Sequence, residues 1–201
     1  MKKEKQDQEP KENEVYEPRE DSVLLLNSAR NFAKGDVFEM GCGSGYVSLG
    51  LMKDGNINSI CCADINPKAV RACQKAFSEY KQAHKKNIKY KVFESDLFGN
   101  PILKETNKKY DLILFNPPYL PEEKNKELND PALNGGLLVI FRFLSQAKGF
   151  LKPNGKVFLL FSSLTGRNKI LSFARNKGYS YKLVQKKRIF FEILYVYSFK
   201  F

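Results

Sequence analysis

The stretch best equipped for chemistry is Asn116-Pro117-Pro118-Tyr119, directly after the apolar run Asp111-Leu112-Ile113-Leu114-Phe115. A planar NH2 nitrogen, on an amide or on an aromatic ring, has a delocalised lone pair and is a poor nucleophile. The Asn116 side-chain oxygen and the Pro117 carbonyl can accept both of its N–H bonds. Accepting those protons favours a more tetrahedral nitrogen, with the lone pair turned toward an electrophile. The prolines stiffen the loop, and Tyr119 offers a ring to pack on a planar acceptor. The work is orientation and electrostatic preorganisation, with no separate strong base. A plain Pro-rich turn would give no reason for an Asn and a Tyr to flank two prolines where open α/β sheets bind ligands.

A second constellation is Glu39-Met40-Gly41-Cys42-Gly43-Ser44-Gly45, after Val37-Phe38. A strand runs into a glycine turn that opens a helix, so a ligand can approach the main chain closely. The spacing is GxGxG, not the GxGxxG of dinucleotide sites, which points to a ligand without a pyrophosphate. A plain tight turn would account for the glycines alone. Asp64 follows Gly45 by 19 residues, at the end of the next strand. An acid there can accept from ribose hydroxyls; its structural alternative is to cap the helix opening at Pro67. Ser95-Asp96-Leu97 places another acid where an adenine amino group could be met.

These residues require alternating strands and helices. A helix is predicted from Asp21 or Ser22 as N-cap, with Val23, Leu24, Leu25 and Leu26 apolar. Strands are predicted at 36–40, 58–63, 88–94, 110–115 and 156–161. Helices are expected at 45–53 (closed by Asp54-Gly55), 67–83, 136–150 and 165–177. Pro153-Asn154-Gly155 reads as a turn before the fifth strand. Two last strands, 180–187 and 190–199, are close enough to form a hairpin. The rhythm predicts an α/β fold: a doubly wound, seven-stranded, mostly parallel sheet with a C-terminal antiparallel hairpin.

The chain has 201 residues and a formal net charge of +12. Length allows one domain, read as residues 15–201 behind a flexible tail at 1–14. No apolar run reaches membrane-spanning length and the tail lacks a signal-peptide core, so the chain reads as soluble and cytoplasmic. Residues 148–201 hold 12 Lys or Arg against one acid, Glu192. This bias suits RNA, a ribosome or DNA, and suits a solvated surface equally well. Arg167, Lys169, Arg175 and Lys177 are the candidate basic face. Cys42, Cys61, Cys62 and Cys73, with His84 alone, do not make a zinc set, so no metal site is expected. Cys61 and Cys62 read as small buried strand residues. The run from Phe190 and Phe191 through Ile193, Leu194, Tyr195, Tyr197 and Phe199 reads as sheet core, and His84 as solvated.

Together, GCGSG, Asp64 and NPPY resemble the class I S-adenosylmethionine methyltransferases that act on amino nitrogens. The segment Tyr16-Glu17-Pro18-Arg19-Glu20-Asp21-Ser22, followed by Leu24-Leu25-Leu26, narrows the resemblance to the archaeal and eukaryotic HemK-related branch. That branch methylates the glutamine of the GGQ motif in translation release factors. The resemblance covers the chain from about Val15 onward. It implies a Rossmann-like class I fold and S-adenosylmethionine as cofactor. Gly41, Gly43 and Gly45 would line the methionine part of the cofactor, with Glu39, Cys42, Ser44 and Asn66 alongside. Asp64 would hold the ribose, and Asp96 and Leu97 the adenine. Asn116 would stand at the methyl group, and Asn116 to Tyr119 would grip the glutamine. Glu17, Pro18 and Asp21 would help cover the site. The implied partners are a release factor as substrate and a small zinc-ribbon activator at the edge strand Ile88–Phe93. That edge could equally be protected by Lys89 and Lys91 alone. Adenine-N6 methylation of RNA or DNA is the alternative, since NPPY serves both; duplex DNA would demand a recognition domain for which the chain has no room. The chain departs from the family pattern where Asn134-Gly135-Gly136 leads into Leu137-Leu138-Val139-Ile140 in place of an acidic stretch, which alters that part of the substrate mouth.

Overall fold

The computed structural model describes residues 15–54, 56–84, 88–118 and 135–201. In chain order these form α1 (Glu20–Ala29), β1 (Gly35–Met40), α2 (Tyr46–Asp54), β2 (Ile57–Asp64), α3 (Pro67–His84), β3 (Lys89–Glu94), α4 (Pro101–Glu105) and β4 (Tyr110–Phe115). Then follow α5 (Gly135–Ala147), β5 (Leu151–Ser162), α6 (Arg167–Asn176), β6 (Ser180–Ile189) and β7 (Glu192–Lys200). One seven-stranded sheet takes all the strands, in the order β3-β2-β1-β4-β5-β7-β6. Only β7 runs against the others, pairing antiparallel with β5 and β6. The expected doubly wound sheet with its closing hairpin is present.

Parallel strands covered on both faces must be apolar throughout, and β1, β2, β4 and β5 are buried along most of their length. Leu25, Leu51 and Phe77, from α1, α2 and α3, pack on one face with Leu112 and Phe158. Leu103, Phe143 and Ile170, from α4, α5 and α6, pack on the other with Phe38 and Ile113. The chain order reverses between β1 and β4, the switch point at which such sheets bind ligands. Register brings the strands to a common level there: Met40 pairs with both Ala63 and Phe115, Ala63 with Phe93, and Phe115 with Leu159. Gly41, Asp64 and Asn116 each come one residue beyond that row.

Several expectations need correction. Helix α1 starts at Glu20, so Asp21 lies inside its first turn and is no cap; neither does Ser22 cap it. Asn66, not Asp64, caps α3, accepting from the Lys68 N–H at 2.9 Å. Strand β5 begins at Leu151, and Pro153-Asn154-Gly155 forms an irregularity inside it, with Asn154 at φ +66. Helix α4 went unforeseen, because five residues carry too little periodicity. Phe190 and Phe191 are 87% and 99% exposed at the hairpin tip, whereas Leu194, Tyr197 and Phe199 are core as expected. The tail at 1–14, Gly55, Tyr119 and Asn134 lie outside the described residues. Among the described residues no helix is long and apolar enough to cross a membrane, and no His/Cys/Asp/Glu group could hold a metal ion. All four cysteines are buried, and burial pushes the Cys61 and Cys62 thiols up. His84 is exposed and lies against the Tyr80 ring.

At the opposite, amino edge of the strands the sheet is tied by charge. Lys152 lies 2.7 Å from both Asp36 and Asp111, Lys108 is 3.2 Å from Asp36, and Ser59 donates to Asp36 at 2.5 Å. Burial pushes the Asp36 carboxyl up, but the hydrogen bonds from Lys152, Ser59 and Lys108 outweigh it and hold it at about 2. Because that value is depressed, the stabilisation is complete above the ordinary carboxylate range near 3.8 and is lost as pH falls through about 2. Lys152→Met is expected to lower unfolding free energy at pH 6 by roughly 1 kcal/mol. In denaturant melts the gap from wild type should narrow toward pH 2; a gap of constant size would assign it to lost packing.

Candidate active site

A cleft of about 860 Å3 opens over the carboxyl ends of β1, β2 and β4. Its floor is the glycine turn after β1. Gly41, Gly43 and Gly45 all have positive φ, at +64, +51 and +82, a region costly for residues with a Cβ. At Gly45 space forbids a side chain as well: a Cβ would stand 2.8 Å from Cys73 Sγ and 3.2 Å from the Phe77 ring. Gly43 differs, since a Cβ there meets nothing nearer than the Tyr16 carbonyl at 3.7 Å. Gly41, Cys42, Gly43 and Ser44 line the cleft, while Gly45 packs backward against α3.

Glu39 anchors the turn from beneath. Its buried carboxylate accepts from the Ser48 N–H at 3.0 Å and from the Ser48 hydroxyl, joining the end of β1 to the start of α2. Burial pushes its carboxyl well above the usual range, partly offset by those two bonds. Asp64 accepts from the Gly43 N–H and the Asn66 N–H, both at 2.9 Å, which fixes the turns after β1 and β2 to each other. Burial raises its carboxyl too, against the pull of those amides. Carboxylate oxygens have lone pairs beyond these bonds, so Asp64 can still accept from a ligand.

Beyond β3, Asp96 and Leu97 also line the cleft. Leu97 is held at φ +48, a strained conformation for a bulky residue. Ser95 braces it, donating to the Leu97 carbonyl at 2.5 Å and accepting from Asn100 N–H at 3.1 Å. Arg142 of α5 pairs with Asp96 at 2.7 Å.

The remaining wall is Asn116-Pro117-Pro118 facing the first turn of α1. Asp21 is only 2% exposed. Its Oδ2 accepts from Asn116 Nδ2 at 3.0 Å and from the Tyr16 hydroxyl at 2.8 Å. A carboxylate only accepts, so this contact fixes which end of the Asn116 amide faces it. Asn116 Oδ1 is left buried and without a hydrogen-bond partner among the described residues. A buried acceptor left open is rare and marks a place for a donor from a ligand.

Of the expected site residues, the cleft gathers Pro18, Asp21, Glu39, Gly41, Cys42, Gly43, Ser44, Asp64, Asn66, Asp96, Leu97, Asn116, Pro117 and Pro118. Glu17 is exposed and does not line it. Sequence reasoning missed Tyr16, Arg142, Ile189 and Phe190. Tyr16 stood in a quoted motif, but nothing local signalled that its hydroxyl would meet Asp21. The altered segment after Gly136 is the first turn of α5: Leu137 and Ile140 enter the core while Val139 and Arg142 face the cleft.

Sheet order, glycine turn, acids and the Asn-Pro-Pro wall define an S-adenosylmethionine-dependent methyltransferase of class I. Comparison with known proteins agrees. The methyltransferase small domain profile matches residues 20–190, and the chain belongs to that family. A putative protein N5-glutamine methyltransferase of Methanocaldococcus jannaschii is 36% identical over 190 residues, covering 91% of this chain and 90% of the relative. Methyltransferase HEMK2 of Homo sapiens is 31% identical over 178 residues, covering 83% and 80%. Among solved structures, the E. cuniculi Mtq2–Trm112 complex, responsible for methylating the eRF1 termination factor, matches with a TM-score of 0.65 at 22% identity. That match covers 92% of this chain and 97% of the solved one, and it supports the fold.

Gly45→Ala is expected to destabilise the fold by about 1–3 kcal/mol, through strained φ and collision with Cys73. A thermal melt unchanged from wild type would mean that the turn has room to shift.

Proposed function

We propose that this protein transfers a methyl group from S-adenosylmethionine to the side-chain amide nitrogen of a glutamine, in the GGQ motif of a translation release factor. The observation that carries the reading is the open Asn116 Oδ1, held in place by Asp21. The names of the M. jannaschii relative and of the solved Mtq2 complex support the acceptor class.

The residues suit the cofactor. The open space above Gly43 admits a ligand against the main chain. Asp64 and Asp96 supply acceptors for ribose hydroxyls and an adenine amino group, with Leu97 and the exposed Ile65 as apolar surface beside them. Asp21 and Asp64 place carboxylates in the cleft that favour a cation, while the charge of Asp96 is balanced by Arg142. S-adenosylmethionine, when bound, supplies an electrophilic methyl carbon on a sulfonium. Asn116 Oδ1 and the Pro117 carbonyl accept the two N–H bonds of the acceptor amide and turn its lone pair toward that carbon. Asp21 keeps Asn116 from flipping, and the prolines hold the wall rigid. Bonding of the nitrogen to that carbon would break the carbon–sulfur bond and release a neutral thioether; the methylated nitrogen, then strongly acidic, would pass one proton to water, so no dedicated base is required.

The partners follow the same reading. A small activator protein docks at β3, which is an edge strand with Lys89 and Lys91 exposed. Beside it is an apolar cleft of about 690 Å3, lined by Tyr90, Phe93, Ile102 and Tyr110 and rimmed by lysines. Contact with RNA or a ribosome through the basic C-terminal third is the weaker part of the reading. Arg167 and Arg175 of α6 are drawn onto the hydroxyls of Tyr197 and Tyr181.

The test supplies tritiated S-adenosylmethionine with a release factor or with mixed DNA and RNA, with and without the activator. Label is expected on the release factor and should vanish when the GGQ glutamine is replaced. Label confined to nucleic acid sinks the glutamine reading in favour of adenine. Asn116→Ala should reduce kcat by roughly 100-fold or more while calorimetric cofactor affinity stays within about threefold. Asp21→Asn should retain more kcat than Asp21→Ala, because an amide oxygen can still receive the Asn116 N–H. Equal losses would remove the orienting role from Asp21.

A further inference from the structure

We infer that the β6–β7 hairpin tip is a docking arm for the folded acceptor protein, gripping it outside the reacting glutamine. The inference rests on the glutamine reading above.

Three observations place the arm. Strand β6 runs parallel to β1 and β4, so its C-terminal end, like theirs, lies at the edge that bears the cleft. The β5–β7 ladder stops at Ser162–Leu194, whereas the β6–β7 ladder continues through Arg188–Ile193 and Ile189–Glu192. A two-stranded arm therefore projects past the sheet. Ile189, Phe190 and Glu192 of this arm line the same cleft as Asn116 and Pro118.

The tip is unsuited to solvent. Phe190 and Phe191 are 87% and 99% exposed, and adjacent bare aromatics at a cleft mouth mark an interaction surface. Phe190 also holds φ +36, a costly conformation for an aromatic residue. The arm is nonetheless anchored: Gln185 accepts from the Ser28 hydroxyl, Lys187 pairs with Glu20 at 3.4 Å, and Ile193 N–H donates to Ser163 Oγ. Lys186 and Arg188 are exposed beside the phenylalanines.

The partner is thus a surface with an apolar socket and an acidic rim. An activator on β3 cannot fill this role, because β3 and β6 are opposite edges of the sheet. A body already held at the cleft by its glutamine reaches the arm directly. A short peptide carrying the glutamine would fill the cleft without reaching Phe191, Lys186 or Arg188, which lie outside its lining, and this difference gives the test.

Phe191→Ala, outside the cleft lining, and Lys186→Glu/Arg188→Glu would be assayed with the activator present, on a folded release factor and on a short peptide spanning its GGQ motif. For the folded acceptor, KM should rise roughly tenfold or more in the aromatic variant, and the charge variant should lose its salt dependence of KM. Peptide kcat/KM and calorimetric cofactor affinity should stay within about twofold of wild type. An unchanged KM for the folded acceptor in both variants overturns the proposal. So does an equal loss with the peptide, which would make the tip part of the site's own structure. If wild type labels nucleic acid and no protein or peptide, the glutamine reading itself fails and the arm loses its assigned partner.

Discussion

Parallel register sets everything at the active edge. Met40 is hydrogen-bonded into a row with Ala63 on one side and Phe115 on the other. Three strands therefore reach one level, and the residue one step beyond that row in each is Gly41, Asp64 or Asn116, of which Asp64 still pairs with Glu94 of β3. A slip of one residue in any pair would turn every side chain of that strand to the other face. It would also bury a turn that must stay open. The apolar strands resist such slips because both faces are filled by helices. The chemistry is thus positioned by packing far below it, and the loops need only short tethers such as Glu39 to Ser48 and Asp64 to Gly43.

What sequence could convey follows from the range of each interaction. The Asn-Pro-Pro wall, the glycine turn and Asp64 were legible because strand, turn and residue type coincide within a few positions. The alternation of strand and helix was legible for the same reason. Asp21 was placed at the site by resemblance alone, and its bond to Asn116 spans 95 residues; no local pattern announces it. Arg142 hid inside a helix whose apolar neighbours dominated the reading. The hairpin phenylalanines were read as core because their composition matched the core residues that follow. The turn geometry at Phe190, not its hydrophobicity, carried those two out of the sheet.

The basic C-terminal third changes meaning once folded. Arg167 lies over the Tyr195 and Tyr197 rings, Arg175 over Tyr181 and Lys177 over Phe173. These cations cover aromatic surface at one end of the sheet, and part of their charge is committed to that task. The cations of β6 have a different setting, on an edge strand where lysines also discourage pairing with other chains.

Helix α1 joins remote parts of the chain. Its Asp21 completes the wall at Asn116, while Ser28 and Glu20 seat it on Gln185 and Lys187 of the last hairpin. Helix α1, the first among the described residues, therefore has no finished seat until β6 and β7 have formed. Such long-range closure is slow to reach in folding. It also ties the site to the whole sheet: the Asp21 contact that orients Asn116 depends on a helix seated by the last two strands.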